Sequence, residues 1–394
     1  MTRTLKRMSK RSFTPGLVST LAALLLMPLA TTGAQGTLSV LGFGYPVGGL
    51  STRAVATGGA FGEFDAISPR NPAALGGLPR TVIAVQTEPE YRTLRIGGLK
   101  ESTTAQRIPL LLLAFPARNR VAVSLSATTF LDRSYSTATT GTVVVDGVTL
   151  PTSDSASVRG SIGDLRAAIG WRLNDRLSVG VGGHLFTGDN LVATSRTFAD
   201  SSVFGNVADS SRVTFFGHAC SVGTEVQVVK GLAASASYRA GGKLEARVSD
   251  TVRSRANVPD RIGVALRYDA VPGAIFAVGL EQQRWSDMQG LGSSRVETHD
   301  ATNWHAGAEV AGPRFMGSVL QLRAGYAQGT LPFGADSRTV KETRITGGFG
   351  LPLARDFASL DFSVQRALRS LSGGPGRESA WLLGVGIQIR PGGP

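Results

Sequence analysis

The chain has 394 residues, a formal net charge of +13, 42% hydrophobic and 18% charged residues; that balance excludes a disordered chain, which needs fewer apolar and more charged groups. Its one cysteine, Cys220, excludes a disulfide framework and any Cys-x-x-Cys zinc site. Glycine, at 50 residues, is close to twice its usual share of about 7%, but without the period of three that collagen needs.

Residues 1–34 read as a signal peptide. Arg3, Lys6, Arg7, Lys10 and Arg11 form a basic start without an acid, and Leu17 to Ala30 is an apolar stretch too short to cross a bilayer as a helix. Thr32-Gly33-Ala34 supplies small residues for cleavage before Gln35. The mature protein is therefore expected to be exported.

Residues 35–79 do not read as strands. They are rich in glycine, with Pro46, Pro69, Pro72 and Pro79 between, and carry Phe43, Val55, Phe61, Phe64, Ile67 and Leu75, which need something to pack against. A segment of this kind just before the first strand is expected to fold inside a barrel as a plug. Gly58 and Gly59 allow close backbone approach or φ > 0. Pro72 restricts Asn71 to extended geometry, and Asn71 can bond its own neighbouring backbone.

From residue 80 onward period two dominates. In Ser379–Arg390, Trp381, Leu383, Val385, Ile387 and Ile389 share one face, while Leu382, Gly384, Gly386, Gln388 and Arg390 lie on the other. The pattern recurs in Ile262 to Tyr268, Leu320 to Tyr326, Thr343 to Leu351 and Leu360 to Val364. One aliphatic face and one of glycine, hydroxyl, amide and charge predict strands half-buried in an apolar medium. Fourteen strands are predicted, at 81–96, 107–115, 119–131, 155–172, 176–190, 210–228, 231–248, 257–269, 274–286, 302–311, 319–328, 341–352, 357–367 and 379–390.

Connections near Ala117, Asn174, Val229, Val271, Pro313 and Ala354 are short. The alternate ones, at 97–106, 132–154, 191–209, 249–256, 287–301, 329–340 and 368–378, are mostly longer and polar. An even strand count with short turns on one rim and long loops on the other predicts an all-β protein, a transmembrane antiparallel β-barrel of the bacterial outer membrane. Val143 to Leu150, with Asp146-Gly147 at its centre, predicts an outward-projecting hairpin. Trp285, Trp304, Trp381 and Tyr326 are placed in an aromatic girdle at the long-loop side, and Trp171 and Tyr268 in one at the short-turn side. A soluble β-sandwich or lipocalin-like barrel shows the same alternation with reversed faces. The glycine- and hydroxyl-rich polar face suits a lumen better, and the chain far exceeds one soluble barrel.

No motif for catalysis stands out. His184, His218, His299 and His305 lack the HExxH spacing, and His299 and His305 read as a solvated pair at a loop end. There is no GxSxG, P-loop or GxGxxG opening a helix, so neither an enzyme nor a metal or other cofactor is predicted. The basic excess comes from single, scattered arginines without an aromatic platform, so nucleic acid is not an expected partner. Arg166, Arg172, Arg261, Arg267, Arg323 and Arg344 fall on the inward faces with Glu281, Glu342 and Asp361. These charges are expected to brace the barrel and its plug rather than conduct anions. Arginines of the outer loops suit lipopolysaccharide phosphates, so lipopolysaccharide and outer-membrane lipids are expected partners.

Two sets of residues resemble a known family. Ser51-Thr52-Arg53-Ala54-Val55-Ala56-Thr57-Gly58-Gly59-Ala60-Phe61, then Asp65, then Asn71-Pro72-Ala73-Ala74-Leu75, is similar to the N-terminal signature of FadL-type outer-membrane transporters of hydrophobic compounds. Leu322 to Tyr326, Glu342 to Gly350 and Leu360-Asp361-Phe362 are similar to late strands of the same family, and Val258 to Arg261 and Gln283 to Asp287 also fit. Residues 97–257 match in strand rhythm only. The end departs from the pattern, since such barrels usually finish in an aromatic residue and Ile389 is followed by Arg390-Pro391-Gly392-Gly393-Pro394.

The resemblance implies a fourteen-stranded barrel over 80–394 with an N-terminal hatch over 35–79. It also implies uptake of hydrophobic small molecules such as long-chain fatty acids by a monomer. Phe43, Gly58, Gly59, Phe61, Phe64, Asn71, Pro72 and Leu75 would then form the hatch and ligand site, with an apolar pocket between hatch and wall. Two other roles stay open: a PorV-like barrel serving protein secretion or docking, and a polar-solute porin.

Overall fold

The computed structural model describes residues 44–391, apart from 97–98, 146–147, 199–204, 292–296, 316, 336–337, 354–356 and 375. The leader, Phe43 and the turn near Ala354 lie outside these residues. Fourteen antiparallel strands form a closed wall. They are β1 (Val82–Ile96), β2 (Leu99–Arg118), β3 (Val121–Asp132), β4 (Val148–Arg172), β5 (Leu177–Phe198), β6 (Val207–Val229) and β7 (Leu232–Val248). Then come β8 (Arg261–Tyr268), β9 (Ala274–Gln283), β10 (Ala301–Phe315), β11 (Ser318–Ala335), β12 (Arg338–Leu353), β13 (Ala358–Leu371) and β14 (Arg377–Ile389). The ring shuts where β14 pairs with β1, with Ile389 opposite Ile83 and Trp381 opposite Tyr91. Closure leaves no strand edge in the bilayer, as a spanning sheet requires.

The alternation read from the sequence is the alternation of exposure. Ile262, Val264 and Leu266 are exposed on β8 while Arg261, Gly263 and Ala265 are buried. On β14, Trp381, Leu383 and Ile389 face out and Leu382, Gly384 and Gly386 face in. Such an inversion, apolar outside and charged inside, is stable only when lipid is the outer medium.

Trp171 and Tyr268 stand exposed near the short turns, and Trp304 and Trp381 near the long loops, where the Trp304 and Tyr326 rings lie 5.0 Å apart. Trp285 departs from the expected girdle. It opens a short 3-10 turn, Trp285–Met288, is 1% exposed and stacks on Phe130 at 5.4 Å. β9 ends at Gln283, so Trp285 is released from the outward register and turns into the aromatic core.

The other differences lie at the long-loop side. Residues 97–106 were expected as a loop, but β2 begins at Leu99. Tyr135–Val145 pairs with the outer part of β4 as a hairpin whose arms meet at Val145 and Val148. β5 runs on to Phe198, and Thr251–Asn257 pairs with the end of β7. Above Asn190 the strict alternation of exposure on β5 is lost, because both faces stand clear of lipid and core. At the short-turn side β10 continues past Pro313 to Phe315 through a register irregularity between Ala311 and Arg314.

Candidate functional site in the lumen

Residues 44–80 lie against the inward faces of the wall. Ser51 caps a short helix, Thr52–Ala56, accepting from the Ala54 N–H at 3.1 Å and donating to Asp65. Asp65 also accepts from Ser68 Oγ at 2.9 Å and the Ile67 N–H at 3.2 Å, so one carboxylate fixes both ends of the intervening turn. Asn71 (φ −107°, ψ 116°) is extended before Pro72, and its Oδ1 accepts from the Ala73 N–H at 2.9 Å. That cap starts the 3-10 helix Pro72–Gly77, with proline at a position whose missing N–H costs nothing.

Glycines of the wall explain how this segment approaches so closely. A Cβ at Gly223 would collide with Asn71, one at Gly180 with Pro72, and one at Gly170 with Leu75 and Pro72. β4, β5 and β6 therefore form one seat. A Cβ at Gly307 or Gly325 would collide with Thr57, and one at Gly386 with Thr52. β10, β11 and β14 form a second seat for the helix and its Gly58 turn (φ +68°). Polar ties follow the same route. Asn71 Nδ2 donates to Ser235 Oγ at 2.7 Å and the Glu63 carbonyl at 3.1 Å, Thr346 Oγ1 donates to the Ala56 carbonyl at 2.9 Å, and Gln86 Nε2 to the Leu50 carbonyl at 2.7 Å. His305, expected in solvent, is partly buried in β10, and its Nδ1 donates to the Gly58 carbonyl at 2.8 Å.

Inward charges are joined into networks. Arg53 meets Glu309 through two bonds of 2.8 and 2.7 Å, Arg323 meets the same carboxylate at 2.7 Å, and Arg323 also pairs with Asp361. Arg261 bridges Glu63 and Glu281, and Arg70 pairs with Glu281. Arg369 contacts Glu342 at 2.7 Å, Glu90 at 2.9 Å and Glu378 at 2.6 Å. Around them Arg92, Arg107 and Arg369 all lie within 5.7 Å of the Tyr45 ring centre, and Tyr45 Oη donates to Glu342 at 3.2 Å. Arg344 reaches Glu342 at 3.3 Å, and Arg267 stands 3.5 Å from Glu225 and over the Phe64 ring at 4.9 Å. Arg166 is buried without such a partner among the described residues.

The predicted hatch residues are not gathered around one pocket. Phe61 packs with Ala54, Ala60 and Ala277, whereas Leu75 packs with Ile67, Val82, Leu110 and Leu112. Farther toward the long loops, Phe130, Phe186, Phe215, Trp285 and Phe333 form the main apolar cluster. Between segment and cluster lies a cavity of about 100 Å³, lined by both polar and apolar groups, among them Gly49, Phe130, Asp164, His184, Ser221 and Trp285. Sequence reading did not single out Tyr45, Glu90, Arg107, Glu309, Arg369 or the row Asp164, His184, Ser221. Their partners stand at irregular separations along the chain, from next-but-one neighbours such as Arg92 and Glu90 to strands that meet across the barrel closure, so no spacing motif marks them.

No protein-family model matches the chain, and neither does any curated protein sequence. Solved structures do. A FadL homologue of Pseudomonas aeruginosa superposes with a TM-score of 0.63 at 12% identity, covering 88% of this chain and 99% of that one. The toluene transporter TbuX of Ralstonia pickettii gives 0.59 at 14% identity, with 87% and 99% covered. The monoaromatic hydrocarbon channel CymD gives 0.55 at 12%, with 90% and 99% covered. With its closed wall and lipid-suited outer face, the chain thus has the fold of the FadL-type outer-membrane channels.

Proposed function

We propose that the protein takes up hydrophobic small molecules across the outer membrane, with residues 35–79 serving as the hatch. The observation that carries this reading is the filling of the lumen. A segment seated in two sets of wall glycines lies on the short-turn side, and an aromatic cluster lies on the long-loop side. Such a lumen suits a ligand that trades water for phenyl and indole rings. Three features support a hatch that moves as a unit: its own internal capping, its seat of close contacts, and its ion pairs Arg53–Glu309, Arg70–Glu281 and Glu63–Arg261. Similar structures named as a FadL homologue and as toluene and monoaromatic hydrocarbon channels support hydrophobic molecules as the ligand class, within which we place both single aromatic rings and long-chain fatty acids.

The test is uptake by cells lacking their own such channel. Expression should raise the uptake of toluene or oleate while leaving that of a sugar of similar mass unchanged. Equal gains for all three would make the protein a general pore and remove this reading.

A further inference from the structure

The inward face of β4–β6 holds a row of groups that neither bracing nor channel function requires. Asp164 lies opposite Phe186, and Ser221 opposite Gly182, so two diagonal steps across the sheet bring Asp164, His184 and Ser221 into line. Both Asp164 oxygens stand 2.9 Å from His184 Nδ1, and His184 Nε2 stands 2.9 Å from Ser221 Oγ. An ionised carboxylate only accepts, so the proton belongs on Nδ1, Nε2 is left as an acceptor, and the Ser221 hydroxyl donates to it. That is the order of orienting group, base and nucleophile that serine chemistry needs.

A place for the developing negative charge adjoins it. Gly182 lacks a side chain, and a Cβ there would stand 2.7 Å from Ser221 Oγ and 3.0 Å from Arg166 Nε. An oxygen in this notch therefore lies within reach of both. Arg166 is 4% exposed, and among the described residues its Nε and Nη2 have no hydrogen-bond partner. A buried cationic donor left open beside a nucleophile is costly unless something arrives to accept from it. Asp164, His184 and Ser221 also border the cavity of about 100 Å³, next to Phe130 and Trp285.

We propose that Ser221 and His184 are catalytic residues of an esterase site in the channel wall, with Asp164 as positioning residue and short-chain acyl esters of apolar alcohols as substrates. Ser221 Oγ bonds to the ester carbonyl carbon as its proton passes to His184 Nε2, and the carbonyl oxygen, now negative, accepts from Arg166 in the Gly182 notch. The bond to the alkoxy oxygen breaks as His184 returns the proton to it, leaving acyl-Ser221 and free alcohol. Water, deprotonated by His184, then cleaves the acyl ester, and Ser221 regains its proton as the carboxylic acid leaves. The net reaction is ester plus water to acid plus alcohol, without an oxidant or metal. The small cavity sets the limit on the acyl group.

The experiment uses the purified full chain in detergent with p-nitrophenyl acetate and, separately, a fluorophosphonate that bonds to an activated serine with loss of fluoride. The expected results are the covalent mass on Ser221 and hydrolysis that falls about a hundredfold or more in Ser221→Ala and His184→Gln. Asp164→Asn keeps size and hydrogen bonding, so the wall folds, and a fall in kcat with unchanged KM marks lost orientation of the imidazole rather than lost packing. Heat-modifiable gel mobility confirms folding of each variant. A folded parent without label on Ser221 overturns the proposal, as does equal labelling in His184→Gln or an unchanged rate in Asp164→Asn. Toluene or oleate uptake that survives in Ser221→Ala leaves the channel function standing whichever way the esterase test falls.

Discussion

At the scale of the residue, burial decides what each charge is worth. Arg369 is 1% exposed and touches three carboxylates from β1, β12 and β14. Arg369→Met would take one of their counter-charges from Glu90, Glu342 and Glu378, of which Glu90 keeps Arg92 and Arg107 and Glu342 keeps Arg344, and is expected to cost about 3 kcal/mol, read as a lower midpoint of denaturant unfolding in lipid vesicles. No change would mean that the carboxylates find other partners. Trp285→Ala removes the ring that stacks on Phe130 and abuts Phe333, and a loss of about 3–5 kcal/mol is expected in the same assay. A loss below about 0.5 kcal/mol, usual for an exposed site, would return Trp285 to the lipid face. On that face Val385→Arg should cost about 2–4 kcal/mol if it meets the bilayer midplane, and Val385→Leu far less. Gly384 makes a poor inward control, since a Cβ there would collide with Ser363.

Elements of the second half were legible because lipid and lumen impose opposite chemistry on alternate residues. The expected 341–352 and 379–390 lie within about three residues of β12 and β14 at either end. The outer parts of β4–β6 were less legible: from Leu191 to Phe198 exposure no longer alternates strictly, so nothing there forces a period of two. The site was readable only in part. Asn71-Pro72 announces its own cap, whereas the contact of Arg369 with Glu90 crosses the barrel closure and has no local trace. The wall glycines test the seats directly. Gly325→Val places a side chain against the Thr57–Gly58 backbone, and should give a folded barrel that opens to ions in planar bilayers. Conductance equal to that of the parent would show that the helix is not held there. Added protease on intact cells should cut within 132–154 or 191–209 and spare the short turn at 230–231; the reverse pattern would invert the topology.

For the whole molecule, the wall and the segment inside it are separable by their bonding. Strand-to-strand hydrogen bonds close the ring without help from residues 44–80. Deleting residues 36–77 should therefore leave a heat-modifiable barrel with steady single-channel conductance, against a parent that stays shut. A folded deletion as silent as the parent would show that these residues block nothing. The unequal strands have a different consequence. β4 has 25 residues and β5 and β6 have 22 and 23, while β8 has 8 and β9 has 10. With all of them starting from one rim, about 15 residues at about 3.4 Å each and a tilt of about 40° raise one flank roughly 40 Å above the other. The mouth is therefore a spout cut on a slant. Its high flank screens the approach from the sugar-rich surface, and its low lip, beside β8 and β9, lies nearest to the hydrocarbon in which a sparingly soluble molecule collects.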